Sequence, residues 1–197
     1  MIRGIIFDLD GTLVDSGLDF DAMRREMGLP AGMPILEGIA TLQGAEAERS
    51  RRILHEHEWA GYQRATLLPG AAELLAWLRE NDRRVGIVTR NSRDVSLATL
   101  MRLNVDCDTV LTRDDGPIKP DPWPVAQICR QWKAPPRAVV MVGDFLFDVE
   151  AGRAAGTRTV LLAGVDPAAY PNKEGADKVI SSLAQWRELL AWMKDLP

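Results

Sequence analysis

Five short apolar runs, set apart by helical patterns, constrain this chain more than any other feature. They are "GIIFD" (4–8), "RVGIVT" (84–89), "DTVLT" (108–112), "AVVMVGD" (138–144) and "TRTVLL" (157–162). Each is rich in β-branched residues and nearly unbroken in apolar ones, as expected of strands buried on both faces. "ADKVI" (176–180) adds a short edge strand. Such alternation predicts a parallel sheet with helices on both sides, the doubly wound α/β class.

The helical stretches carry their own signals. "PGAAELLAWLREN" (69–81) puts Leu74, Leu75 and Leu78 on one face, and "SRDVSLATLMRLN" (92–104) opens on Ser92 as N-cap. "WPVAQICRQW" (123–132) follows, and "DVEAGRAAG" (148–156) stops at Gly156. In "SLAQWRELLAWMKDL" (182–196), Ser182 and Gln185 form a capping-box pair. From residue 17 to residue 65 there is no strand pattern. "FDAMRREMG" and "EAERSRRILHEHEWAGYQRA" read as helices separated by the Gly/Pro-rich "LPAGMPILEG". This predicts two parts: a core of residues 1–16 and 66–197, and a helical cap inserted at 17–65.

Composition removes several function classes. With 46% hydrophobic and 26% charged residues and a net charge of −4, the chain has no basic stripe, which argues against nucleic acid as a partner. No apolar run nears the length of a membrane span, and there is no basic-then-apolar leader. Cys107 and Cys129 are too few for a disulfide framework and fit reduced thiols, so a cytoplasmic protein is expected. The "HEHE" of residues 55–58 reads as a solvated helix face, because His55 and His57 do not share one side of a helix.

In doubly wound sheets, ligands bind beyond the carboxyl ends of the strands. The first strand exit carries Asp8 and Asp10. The second carries Thr89, Asn91 and Ser92 in "TRNS". Lys119, in "PIKPDP", follows the third, and the fourth ends in "GDFLFD", with Asp144 and Asp148. Two carboxylates as close as Asp8 and Asp10 repel by roughly 4 kcal/mol at about 4 Å and an effective dielectric of about 20. One Mg²⁺ and Lys119 would bring the four acids from −4 to −1. Oxygen-only ligands favour Mg²⁺ or a similar hard cation over zinc. A cation, a lysine, a hydroxyl and backbone donors together suit phosphoryl transfer, with Asp8 attacking phosphorus and Asp10 handling the proton.

These residues resemble the four motifs of the haloacid dehalogenase superfamily, in its phosphoglycolate-phosphatase-like branch: "FDLDGTLVDS", "VTRN", "IKPDP" and "VGDFLFD", in that order. The resemblance implies a Rossmann-like sheet of order 5-4-1-2-3 with the Asp8 strand at its centre. It also implies a Mg²⁺-dependent phosphatase acting on a small phosphorylated metabolite such as phosphoglycolate. Asp8 would form an aspartyl-phosphate, while Asp10 would protonate the leaving oxygen and then activate water. Asp8, the Asp10 carbonyl and Asp144 would bind Mg²⁺, with Asp148 acting through water. Lys119 would bridge Asp8 and the phosphate. Thr89, with Gly11, Arg90 and Asn91, would complete the phosphate cradle.

Two departures stand out. Phe145 occupies a motif IV position usually held by a small polar residue. The cap is also short, since Asp8 and Thr89 are 81 positions apart. A phosphosugar mutase of the same fold is an alternative, but the short cap counts against it. Asp10 counts against a dehalogenase, and the intact Asp8, Asp10 and Asp144 count against a non-catalytic phosphate- or Mg²⁺-binding regulatory module. The oligomeric expectation is a monomer or weak dimer.

Overall fold

The β-branched apolar runs form strands where the pattern places them. The computed structural model describes residues 2–164 and 175–196. The chain opens with β1 (Gly4–Phe7) and a short β2 (Val14–Asp15), followed by three helices, α1 (Phe20–Met27), α2 (Ile35–Thr41) and α3 (Gly44–Arg64). It continues through β3 (Thr66–Leu67), α4 (Ala71–Glu80), β4 (Arg84–Val88), α5 (Arg93–Arg102), β5 (Thr109–Leu111) and α6 (Trp123–Gln131). The last elements are β6 (Val139–Gly143), α7 (Leu146–Ala155), β7 (Arg158–Leu162), β8 (Lys178–Ile180) and α8 (Trp186–Lys194). Two compact units result: Met1–Asp15 with Thr66–Pro197, and Ser16–Ala65.

In the first unit, six strands pair in parallel in the order β5-β4-β1-β6-β7-β8, with helices on both faces. β1 lies between β4 and β6, with Ile6 beside Gly86 and Met141. This is the 5-4-1-2-3 order of the major strands, with β8 added beyond β7. Strand alternation sends Ile6, Val88 and Met141 to the face covered by Val125, Ile128 and Trp132 of the α6 region and Ala151 of α7. Trp123 packs against the same cluster. Fully burying each such aliphatic side chain contributes about 1.5–3 kcal/mol.

A two-stranded antiparallel ribbon, invisible in the sequence pattern, pairs Val14 with Leu67 and Asp15 with Thr66. One capping expectation is met in position and one is corrected. Ser92 sits at the N-cap of α5 without a side-chain cap bond. Ser182 caps through Ala184 N, but Gln185 Oε1 accepts instead from Ser181 N, at 2.8 Å.

The second unit is a three-helix cluster built on Met23, Met27, Ile35, Ile39, Ile53 and Leu54. α2 falls partly within the stretch read as a Gly/Pro-rich separator. Burial of Ile35 and Ile39 stabilises a helix that local composition does not announce. His57 is not merely solvated: its Nε2 lies 2.9 Å from Glu26 Oε2. At the end of α3, Arg64 donates to the carbonyls of Ser16 and Gly17, tying the unit's two ends together.

Candidate active site

β1 delivers Asp8 directly to the carboxyl rim. The ladder runs one residue past the strand, with Asp8 N donating to Val142 O at 2.9 Å. The chain then turns: Leu13 N and Val14 N both donate to Leu9 O, and Gly11 N donates to Val14 O. Gly11 has φ +77°, and a Cβ there would lie 2.3 Å from Asp144 Oδ2. Only glycine suits both that backbone and that close approach. Glycine is needed again at the end of β6, where a Cβ on Gly143 would overlap the Asp148 carboxyl.

Lys119 reaches into this rim between two acids. Its Nζ is 2.5 Å from Asp8 Oδ1 and 2.6 Å from Asp148 Oδ1, and the Lys119 and Asp148 side chains are each only 3% exposed. Carboxylate oxygens of Asp8, Asp144 and Asp148 all lie within 4.8 Å of one another. Three acids therefore share one ammonium, and two negative charges are left unbalanced in a poorly solvated place.

The titration behaviour follows from that shortage. Burial, reinforced by Asp8 and Asp148, pushes Asp144 up to about 8. Burial and Asp8, against the opposing pull of Lys119, push Asp148 up to about 6. Burial raises Asp8 as well, with Lys119 pulling against it and the Asp10 charge adding to the rise. Burial pushes Lys119 down, but the charges of Asp148 and Asp8 outweigh it and hold its pKa above the usual value.

This donor set fits a hard divalent cation: three carboxylates on one spot, all oxygen, with excess negative charge. Asp148 already has both oxygens engaged, Oδ1 by Lys119 and Oδ2 by Phe145 N at 3.0 Å. It sits in the first turn of α7 rather than at its N-cap, which is Phe145.

The remaining predicted residues divide into two groups. Asn91 Nδ2 donates to Asp10 Oδ2 at 2.5 Å, which joins the second strand exit to the first. Thr89 is buried, and its Oγ1 accepts from Asn91 N at 3.2 Å. Arg90 turns elsewhere. Its Nη1 donates to Lys119 O at 2.7 Å, and its guanidinium lies 4.6 Å from the centre of the Phe147 ring. The sequence reading left two residues unassigned. Thr12 Oγ1 donates to Asp144 Oδ1 at 3.2 Å, and Phe147 seats Arg90. A hydroxyl two places after Asp10 and an aromatic beside Asp148 were the only available signals.

The fold thus sets a strand-end aspartate, paired to a buried lysine, at the centre of a doubly wound sheet. The chain belongs to the haloacid dehalogenase-like hydrolases, whose sequence profile matches residues 2–156. It is similar to an N-acetylmuramic acid 6-phosphate phosphatase of Pseudomonas putida, at 32% identity over 96% of each chain. It is also similar to a phosphoglycolate phosphatase of Nitrosococcus oceani, at 31% identity over 95% of this chain and 96% of that one. A hydrolase from Pseudomonas syringae, known from its crystal structure, superposes with a TM-score of 0.79 at 25% identity, covering 96% of this chain and 98% of that one. The enzyme is a phosphatase of this family, and no helix among its described residues is long and apolar enough to cross a membrane.

Proposed function

We propose that the enzyme is a Mg²⁺-dependent phosphomonoesterase that hydrolyses a small phosphorylated metabolite through a phosphoryl group carried on Asp8. The observation that carries this reading is Lys119 Nζ between Asp8 Oδ1 and Asp148 Oδ1, with Asp144 in the same cluster. Asp8, Asp144 and the Asp10 carbonyl would hold Mg²⁺, with Asp148 in support through Lys119 and water. The cation supplies charge neutralisation between the carboxylates and the phosphate dianion.

The chain's own residues supply the rest. An Asp8 oxygen attacks phosphorus as the bond to the leaving oxygen breaks, and Asp10 gives that oxygen its proton. Asp10 then takes a proton from water as the water attacks phosphorus, and the bond to Asp8 breaks to release inorganic phosphate. Asn91, donating to Asp10 Oδ2, fixes the orientation of that carboxyl. Lys119 balances the Asp8 charge and bridges it to the phosphate, while Gly11, Thr89 and the backbone at Arg90 and Asn91 surround the phosphate oxygens.

Phosphoglycolate is the first candidate substrate, and N-acetylmuramic acid 6-phosphate is the second, each supported by a relative aligned over nearly the whole chain. Residues 17–65 act as a helical cap in this reading, and 1–16 with 66–197 as the catalytic core. The two unpaired cysteines fit a cytoplasmic setting, and a monomer or weak dimer completes the reading. A screen of phosphorylated metabolites, read by phosphate release with Mg²⁺ and with excess chelator, tests the proposal. Release is expected with Mg²⁺ and none with chelator; unchanged rates in chelator would overturn it.

A further inference from the structure

The structure assigns Arg90 to positioning Lys119, with the Phe147 ring as the seat that holds its guanidinium, instead of to binding phosphate. Lys119 is gripped at both ends. Its ammonium meets Asp8 and Asp148, and its main-chain carbonyl accepts from Arg90 Nη1 at 2.7 Å. Both grips lead back to the first turn of α7. Asp148 supplies the carboxylate, and Phe147, the residue before it, supplies the ring 4.6 Å beneath the guanidinium. Phe145 braces that ring edge-on, with centroids 5.0 Å apart, and its own N–H donates to Asp148 Oδ2. From the other side, Arg113 Nη1 donates to Arg90 O at 3.2 Å, fixing the backbone from which the guanidinium extends.

The circuit therefore closes: Lys119 carbonyl, Arg90, Phe147, Asp148, Lys119 ammonium. A lysine stem has four rotatable bonds and strong entropy against being held. Fixing both its backbone and its tip restricts that freedom where an ångström matters. Arginine suits the task because its weakly hydrated planar group stacks on an aromatic face while still donating from its edge, which a lysine cannot do. The same circuit accounts for the departure in "GDFLFD" (143–148). Phe145 stands there in place of a small polar residue because it packs edge-on against the ring that seats the guanidinium. Phe145 stays 47% exposed because it buttresses Phe147 from the outside.

The test compares Phe147→Leu, Phe147→Tyr, Arg90→Met and the double variant Phe147→Leu/Arg90→Met. The kinetic arm rests on the phosphatase reading and uses an aryl phosphate, with inorganic phosphate as competing product. Arg90→Met and Phe147→Leu should each lower kcat by about 10–100-fold, because Lys119 is displaced from productive geometry. KM and inhibition by phosphate should hold, Phe147→Tyr should keep wild-type rates, and the double variant should be no worse than Arg90→Met alone. A phosphate-binding Arg90 would instead raise KM and relieve phosphate inhibition in Arg90→Met with kcat retained, while Phe147→Leu did nothing; that pattern, or additive losses in the double variant, overturns the proposal.

A second arm needs no turnover and stands if the phosphatase reading fails. Reductive methylation, mapped by peptide mass, should leave Lys119 unmodified in wild type and Phe147→Tyr. Phe147→Leu and Arg90→Met should open it to reagent, with Lys133 and Lys178 reacting as before. Unchanged protection of Lys119 in both variants overturns the assignment. If melting curves show Arg90→Met unfolded, the leucine and tyrosine variants at Phe147 decide the matter alone.

Discussion

Lys119 and His57 each meet a carboxylate at hydrogen-bond distance, in opposite surroundings. Lys119 and Asp148 are each 3% exposed, whereas His57 and its partner Glu26 are 25% and 49% exposed. Another pair of the helical unit, Arg24 with Asp21, is wetter still on its acidic side. Solvated pairs of this kind contribute about 0–1 kcal/mol and can be rearranged with little consequence. Buried charges cost more in lost hydration than they regain, so a fold keeps three acids and one lysine together only when their chemistry is used. Contact distance is therefore a poor guide to what an ion pair does, and burial with a charge imbalance is a better one.

The comparison breaks first at Asp8. Asp8→Asn should abolish turnover and leave no phosphoryl group on the protein by intact mass. Asp10→Asn should be milder and depend on the substrate. An alkyl phosphate, whose poor leaving group needs the proton, should slow by about 10²–10⁴-fold in its first step. An aryl phosphate should give a burst of at most one alcohol per site and then stall as phosphoenzyme. The reverse mass pattern would exchange the two roles.

A smaller effect is expected in stability against pH. Asp144, at about 8, and Asp148, at about 6, sit above the ordinary 3.8 of an aspartate. A raised carboxyl contributes stability that is complete below about 3.8 and is lost as pH rises through the folded values, here about 6 and about 8. Under the proposed Mg²⁺ role the cation would compete with protons for these acids, so its thermal stabilisation should be slight at pH 5 and should grow through that window. Melting temperatures with Mg²⁺ and with chelator at pH 5, 7 and 9 check this, and a pH-independent shift would refute it. The smallest effect sharpens the contrast. His57→Gln should change stability by less than about 1 kcal/mol and leave turnover unaltered, as measured by urea unfolding and phosphate release.

The sheet was legible because doubly buried strands need nearly continuous apolar runs, and the acids were legible because they stand at strand exits. What the sequence hid depends on distant partners. Nothing local ties Thr12 to Asp144, 132 positions away, or Asn91 to Asp10, 81 positions away. The motif gave no sign that Arg90 also meets the ring of Phe147 and the carbonyl of Lys119, 57 and 29 positions away. α2 escaped notice because its Gly/Pro surroundings mask a helix held by tertiary burial of Ile35 and Ile39. The β2–β3 ribbon is two residues per strand, too short for any period to register.

That ribbon has a consequence for how such a protein can change over generations. Asp15 and Thr66 are paired neighbours, so the 16–65 excursion leaves the core and rejoins it at almost the same point. Closing a flexible excursion of this length would cost about 3 kcal/mol, and doubling it only about 0.6 more. With its exit and entry fixed side by side, the core is nearly indifferent to what lies between them. The junction works as a socket: a lineage can lengthen, shorten or exchange the inserted module without altering a single strand of the six-stranded sheet.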